Sequence, residues 1–305
     1  MSFSLLRLPD LALEEILKNF RHKEILFLAQ TSQRARRRIS RLIKSQAFQI
    51  RAVDDSFSLF VQIFYEDREI FRIFTGAQEE QINWRFKTLF TDWYQENTWV
   101  CHWRRDFQEL MNFLNELFRI KQVSFQICKE PSSSVLLFLD HITAMNLKIG
   151  KVEWSAFKRN QEMTEKFLMA FRGASYLEIK GFNSPSIRFN HFHLFRMDQL
   201  LIRDARWMTV ENIIDLRNCK RVNLDFVELD TANMNQILWK LTKNPGEIQE
   251  LRMTGDIKLR GLVKGLNNVR VEKGGRALIY WFTTDNGVQF SVTEDFITVV
   301  IKRDT

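Results

Sequence analysis

Six short segments of one kind recur between residues 123 and 255: "VSFQICK", "MNLKIGK", "SYLEIKG", "DQLLIRD", "KRVNLDF" and "QELRMTG". Each carries an apolar-x-apolar core: Phe125/Ile127, Leu147/Ile149, Leu177/Ile179, Leu200/Ile202, Val222/Leu224 and Leu251/Met253. Their first residues lie 22, 30, 23, 22 and 29 positions apart. Alternation of period two marks a strand, and intervals of this size leave room for one strand and one helix per unit. The intervening stretches carry helical stripes. They are Leu110, Met111, Leu114, Leu117 and Phe118; Met163, Phe167, Leu168 and Phe171; and Met234, Ile237, Leu238 and Leu241, with Asp230 or Thr231 as cap. Such helices bury their stripes only against stacked neighbours. The pattern predicts a leucine-rich-repeat-like solenoid of strand–helix units.

Hairpins bracket that array. "FSLFVQIFYEDREIFRIF" alternates Phe57, Leu59, Val61, Ile63 and Tyr65, the period of a half-buried strand. Near the other end Asn286-Gly287 sits between two apolar-rich runs, the preferred pair for a two-residue type I′ turn. The expected class is α+β or α/β, divided as a helical segment 1–48, a connecting hairpin and helical region 49–119, and the repeat-like domain with its C-terminal hairpin, 120–305.

A chain of 305 residues with 45% hydrophobic and 27% charged content has the make-up of a folded soluble protein. No apolar run reaches the ~18–20 residues that span a bilayer, and the N-terminus lacks a secretory layout. Cys101, Cys128 and Cys219 match neither a metal spacing nor a disulfide framework, which suits a reducing, intracellular compartment, cytoplasmic or nuclear. The net charge is +8, but residues 1–50 hold ten Lys/Arg against four Asp/Glu, an excess of six. The rest is close to balanced, so a broad basic groove for nucleic acid is not expected.

The first fifty residues read as three short helices. "LLRLPDLALEEILKNF" offers Asp10 as a cap and a stripe at Leu13, Ile16, Leu17 and Phe20. A second helix runs through Ile25, Leu26 and Leu28, and a third, "SQRARRRISRLI", sets Ala35, Ile39, Leu42 and Ile43 opposite its arginines. So small a unit buries little surface alone, so it either caps the larger domain or docks on a partner.

These residues resemble an F-box, the helical motif that binds Skp-family adaptors of cullin ubiquitin ligases. Leu8-Pro9, Ile16, Leu17, Ile25, Leu26 and Leu28 fall where that motif is apolar. The third helix departs from it, with Ala35 near the position of a frequent Trp, and His22-Lys23 replaces an acidic-Pro pair. The stretch from "QLLIRDARWMTV" through "MNQILWKL" to "QELRMTG", within about residues 120–270, is similar to the type-2 F-box-associated domain that follows F-boxes in nematode proteins. Together the resemblances imply a substrate-recruiting subunit of a Skp-cullin-F-box ligase. Leu8, Pro9, Leu13, Ile16, Leu17, Ile25, Leu26 and Leu28 would meet the adaptor, and a protein substrate would sit on the second domain.

Catalytic constellations are not legible. "RGLVKG" and "KGG" do not lead a strand into a capped helix, and no G-x-S-x-G or H-E-x-x-H is present. His191 and His193 lack an evident third ligand and read as surface residues, while Cys101-His102 point apart as sequence neighbours. No cofactor or metal is implied, and binding rather than catalysis is expected. Trp84, Trp93, Trp99 and Trp103 beside Arg85, Lys87, Arg104 and Arg105 imitate a base-stacking surface, but buried packing is the commoner use of such aromatics. "RARRR" reads as a solvated helix face more readily than as a phosphate-contacting run. A partner surface is expected where the residues alternating with the strand cores line up: Glu178, Lys180, Leu201, Arg203, Asn223, Asp225 and Arg252, with Trp207 at the edge.

Overall fold

Apolar spacings of three and four persist to residue 43 and then give way to period two, and the backbone changes with them. The computed structural model describes residues 5–44, 46–55, 59–75, 90–92, 98–101, 107–128, 133–155, 161–181, 187–255, 266, 269–274, 277–295 and 297–304. It separates into two units: Met1–Gln126 with Ser132–Lys148, and Ile127–Pro131 with Ile149–Thr305.

The first unit opens with α1 (Asp10–Lys18), α2 (His22–Gln30) and α3 (Gln33–Ile43). Leu13 and Leu17, Ile25, Leu26 and Ala29, and Ala35, Ile39 and Ile43 are buried. Ser32 caps α3, its hydroxyl accepting from the Ala35 amide at 3.0 Å. Asp10 does not cap α1. The helix starts at Asp10 itself, behind Pro9, and the carboxylate takes Arg38 Nη2 at 2.7 Å instead.

Next come β1 (Ala47–Asp54), β2 (Leu59–Tyr65), β3 (Arg68–Thr75), β4 (Phe90–Asp92), β5 (Thr98–Cys101), α4 (Phe107–Leu117), β6 (Arg119–Ile127) and α5 (Ser133–Ala144). Strands of this unit are ordered β6-β1-β2-β3-β5-β4. Glu66 and Asp67, at φ 49° and 62°, form the tight turn between β2 and β3, the two positive values a type I′ turn requires. The expectation of a half-buried strand fails for β2: Phe60 and Gln62 are buried along with Val61 and Ile63, because side chains of β3 cover the second face, Arg72 lying over the Phe60 ring at 5.0 Å and Glu69 accepting from Gln62 Nε2 at 2.6 Å. Leu110, Met111, Leu114 and Leu117 form the buried face of α4 as the spacing predicts. Phe118 lies beyond the helix end and packs on Phe48, ring centroids 4.1 Å apart.

Segments 1–48 and 49–119 therefore share one unit. Arg36 Nη1 donates to Glu116 Oε2 at 3.0 Å and covers the Phe113 ring at 4.5 Å, while Ser40 Oγ donates to the Glu116 carbonyl at 2.6 Å.

The second unit holds β7 (Ile149–Ser155), α6 (Gln161–Ala170), β8 (Tyr176–Lys180), β9 (Gln199–Ile202), α7 (Val210–Asp215), β10 (Arg221–Leu224), α8 (Thr231–Lys243), β11 (Glu250–Thr254), β12 (Arg270–Gly274), β13 (Ala277–Thr283), β14 (Gln289–Asp295) and β15 (Thr298–Arg303). β7 to β11 are parallel neighbours in sequence order, and the sheet continues antiparallel as β15-β14-β13-β12. Val152, Trp154, Leu177, Ile179, Leu200, Ile202, Val222, Leu224, Leu251 and Met253 are buried. The links differ in kind: α6 has 10 residues, the next is a 3-10 turn at Phe192–Leu194, α7 has 6 and α8 has 13. What recurs is the strand and its register, not a uniform repeat.

Two local expectations are corrected. Leu147 and Ile149 were expected as the core of the second strand, but that strand starts at Ile149 and buries Val152 and Trp154. Asn146, at φ 56°, and the Leu147 amide bonded to the Ile142 carbonyl at 3.1 Å close the end of α5, so the strand begins later. At 284–288 only Gly287 has positive φ, 84°. The Gly287 amide meets the Thr284 carbonyl at 2.9 Å and the Thr284 amide meets the Val288 carbonyl at 2.8 Å, giving a three-residue loop with glycine in the bulge position. Asp230, rather than Thr231, caps α8, accepting from the Asn233 amide at 2.7 Å. Among the described residues no helix is long and apolar enough to cross a membrane.

Candidate functional site

Burial sorts the helical surface. Leu13, Leu17, Ile25 and Leu26 face inward and hold the helices together, so they offer no surface for a partner. Leu8, Ile16 and Leu28 are half-buried and Pro9 is exposed. Leu11, which the apolar stripe did not include, is 80% exposed on the first turn of α1, beside Pro9. An unpaired leucine off the buried face was the signal that could have found it.

Arg38 holds this edge from α3. It donates to the carbonyls of Leu6 and Leu8, and its Nε and Nη2 reach Asp10 Oδ1 at 2.9 and 2.7 Å. The arginine run is therefore not a purely solvated face: Arg36 and Arg38 are consumed internally, while Arg34, Arg37 and Arg41 are exposed and carry no ion pair among the described residues. Charge-assisted bonds of this kind contribute about 1.5–3 kcal/mol each. Arg38→Ala is expected to raise hydrogen exchange of the 8–13 amides at least tenfold, and Arg38→Lys to restore protection only in part, since an ammonium lacks the fork. Unchanged exchange in the alanine variant would refute the clamp. At the start of α2, His22 lies 5.5 Å from the Phe48 ring and 5.3 Å from Tyr65. Burial holds its imidazole below the ordinary range, against the opposing hydrogen bond of Gln46.

In the second unit the residues alternating with the core share the sheet face opposite the buried one. Register aligns Glu153, Glu178, Leu201, Asn223 and Arg252 on β7 to β11, with Val300 of β15 next. A neighbouring row is Lys151, Tyr176, Gln199, Arg221, Glu250 and Lys302. Glu178 and Leu201, only 5% and 6% exposed, lie beneath longer neighbours. Charges alternate across this face. Lys151 pairs with Glu153, Glu153 with Lys180 at 2.6 Å, Lys180 with Glu178 at 3.6 Å, Glu178 with Arg203 at 3.1 Å, and Arg203 with Asp225 at 3.4 Å. Tyr176 donates its hydroxyl to Glu178 at 3.1 Å.

The protonation equilibria follow. Burial and the adjacent Glu178 push the Tyr176 hydroxyl up to about 12. Burial raises the Glu153 carboxyl, but the hydrogen bonds and charges of Lys151 and Lys180 outweigh it and hold it below the carboxylate range. This contribution to stability is present above the unfolded carboxyl's pKa and is lost as pH falls through the depressed one.

Seven expected face residues thus converge: Glu178, Lys180, Leu201, Arg203, Asn223, Asp225 and Arg252. Trp207 does not join them. It lies in the loop after β9, half-buried, stacked on Phe192 at 6.0 Å and 27°. A ring of that size in a turn finds apolar cover in the aromatic cluster of Phe189, Phe192 and Phe195.

Elsewhere, His191 and His193 reach different carboxylates, Glu165 at 3.6 Å and Asp215 at 3.9 Å. Cys219 is buried, its thiol pushed up to about 11 by desolvation. Trp84, Trp93, Trp103, His102, Arg85, Lys87, Arg104 and Arg105 lie outside the described residues, and for Trp99 and Cys101 only the strand β5 is described.

The model of the F-box domain family matches residues 5–45, the span of α1 to α3 with the turn before them. The chain is also similar to the Skn-1 dependent zygotic transcript 15 protein of Caenorhabditis elegans, 22% identical over 269 residues that cover 78% of this chain and 74% of that one. No solved structure matches. The chain thus carries an F-box domain at residues 5–45.

Proposed function

We propose that this chain recruits a protein substrate to a Skp-cullin-F-box ubiquitin ligase. The F-box domain carries the reading. Its docking edge comprises Leu8, Pro9, Ile16 and Leu28, with Leu11 added by exposure, and it takes a Skp-family adaptor and through it a cullin. The second unit, on this reading an F-box-associated domain built of leucine-rich-repeat-like strand units, holds the substrate on its open sheet face. The chain contributes binding and catalyses nothing. It needs no cofactor, and it works inside the cell, in cytoplasm or nucleus, where such ligases act.

The face suits this role because its charges are already fixed in place, so few side chains lose freedom on binding. Proximity labelling is the test, comparing the native chain with the combined Arg203→Ala, Asp225→Ala and Arg252→Ala variant. The variant is expected to lose a subset of labelled proteins while retaining the adaptor. An identical labelled set with the adaptor still bound places recruitment elsewhere.

A further inference from the structure

We propose that the substrate presents an extended segment rich in Asp and Glu, which lies across β10, β11 and β15; this rests on the recruitment reading above. The open face is uneven in how its charges are used. From β7 to the end of β10 each charge in the Lys151-to-Asp225 chain has a partner within the face. A ligand charge there would have to displace an existing ion pair. One step along the sheet the balance changes. Arg221 and Lys302 are exposed and carry no ion pair among the described residues. Arg252, about half exposed, meets Glu250 only at 3.7 Å.

Register brings these cations together. Arg221 is paired in register with Glu250, Glu250 with Lys302, and Arg252 sits between Asn223 and Val300 in the adjoining row. Three cations therefore surround one carboxylate on three adjacent strands. Asn223, next to Arg252, has a side-chain carboxamide oxygen that is out of water and without a hydrogen-bond partner, an acceptor for which an amide N–H is the natural complement.

Geometry sets the spacing of the complementary acids. Arg221 and Lys302 are two strands apart, about 9.6 Å at ~4.8 Å per strand. A peptide in the extended polyproline II form has three residues per turn and rises ~3.1 Å per residue, so carboxylates three positions apart share one face at about 9.3 Å and match that separation. A compact anion would meet one cation at a time, whereas an extended acidic segment meets all three. Val300 and Thr293, continuing the Arg252 row, give it uncharged surface to lie on.

A peptide array incubated with the purified chain decides the matter. Twelve-residue peptides carry Asp or Glu at every third position, Asn or Gln at the same positions, or phosphoserine there. The acidic peptides are expected to bind at least tenfold more strongly than the amide set and to weaken as salt rises. Arg221→Gln, Arg252→Gln and Lys302→Gln together should remove at least tenfold of that binding without moving the thermal transition. A charge-conserving set, Arg221→Lys, Arg252→Lys and Lys302→Arg, should keep it, and guards against misfolding as the cause. Equal binding of the amide peptides, binding of the phosphoserine set alone, or undiminished binding by the glutamine variant overturns the acidic class. If labelling still depends on Arg203 and Asp225 while the acidic peptides fail, the recruitment surface stands and only its proposed ligand chemistry falls.

Discussion

Replacing Leu8, Pro9 and Ile16 by alanine is expected to abolish co-purification of a Skp-family adaptor, with the thermal transition of the chain shifted by only a few degrees. The three side chains reach solvent at one edge of the helices, so little intramolecular packing is lost. In a complex the same groups would be buried, and a fully buried leucine or isoleucine side chain contributes about 1.5–3 kcal/mol. Truncating such a cluster removes roughly 3–5 kcal/mol, a hundred- to several-thousand-fold in affinity at ~1.4 kcal/mol per tenfold. Leu13→Ala is the contrasting control. It too would stop adaptor binding, but by opening the core, at about 2–5 kcal/mol of stability. Adaptor retained by a folded triple variant would remove the docking edge from consideration.

Trp154→Ala should lower the unfolding free energy of the second unit by about 3–5 kcal/mol, read from denaturant unfolding. Trp154 is 1% exposed on β7 and its ring lies 4.6 Å from Phe167 of α6, so alanine leaves a large hole between strand and helix. Its indole Nε1 is buried without a hydrogen-bond partner. Trp154→Phe should therefore cost clearly less than the lost volume suggests, because it also removes an unsatisfied donor. Leu147→Ala, at a half-buried turn position, should cost under about 1 kcal/mol. If Leu147 proves the costly site and Trp154 the tolerant one, the β7 register described above is wrong.

Helical faces are legible in the sequence because period-3.6 spacing and burial coincide, as at Leu110, Met111, Leu114 and Leu117. So is the shared sheet face, since alternation forces Glu178, Leu201, Asn223 and Arg252 to one side once the strands align. The β7 register is not, because "NLKIGKVEWS" supports alternation in two frames and the choice is made by the Asn146 turn. The role of Asp10 was hidden for a different reason. A carboxylate at a helix start reads as a cap, and its actual partner, Arg38, is 28 positions away. Exposed Leu11 and inward Leu26 look alike in sequence, which left half of the expected docking residues in the core. Trp207 was misplaced because strand alternation stops at the turn where it sits.

The joint between α3 and α4 bears on how such chains diversify. A docking module that ended at residue 48 would be a cassette, free to be shuffled in front of unrelated domains. Here Glu116 takes both Arg36 and Ser40, and Phe118 closes on Phe48 just past the F-box, so the F-box helices are completed by residues 70 to 80 positions downstream. What can be exchanged between proteins as an intact part is the whole first unit. Mosaic descendants that swapped the F-box alone would inherit an orphaned Glu116, and selection would have to repair it.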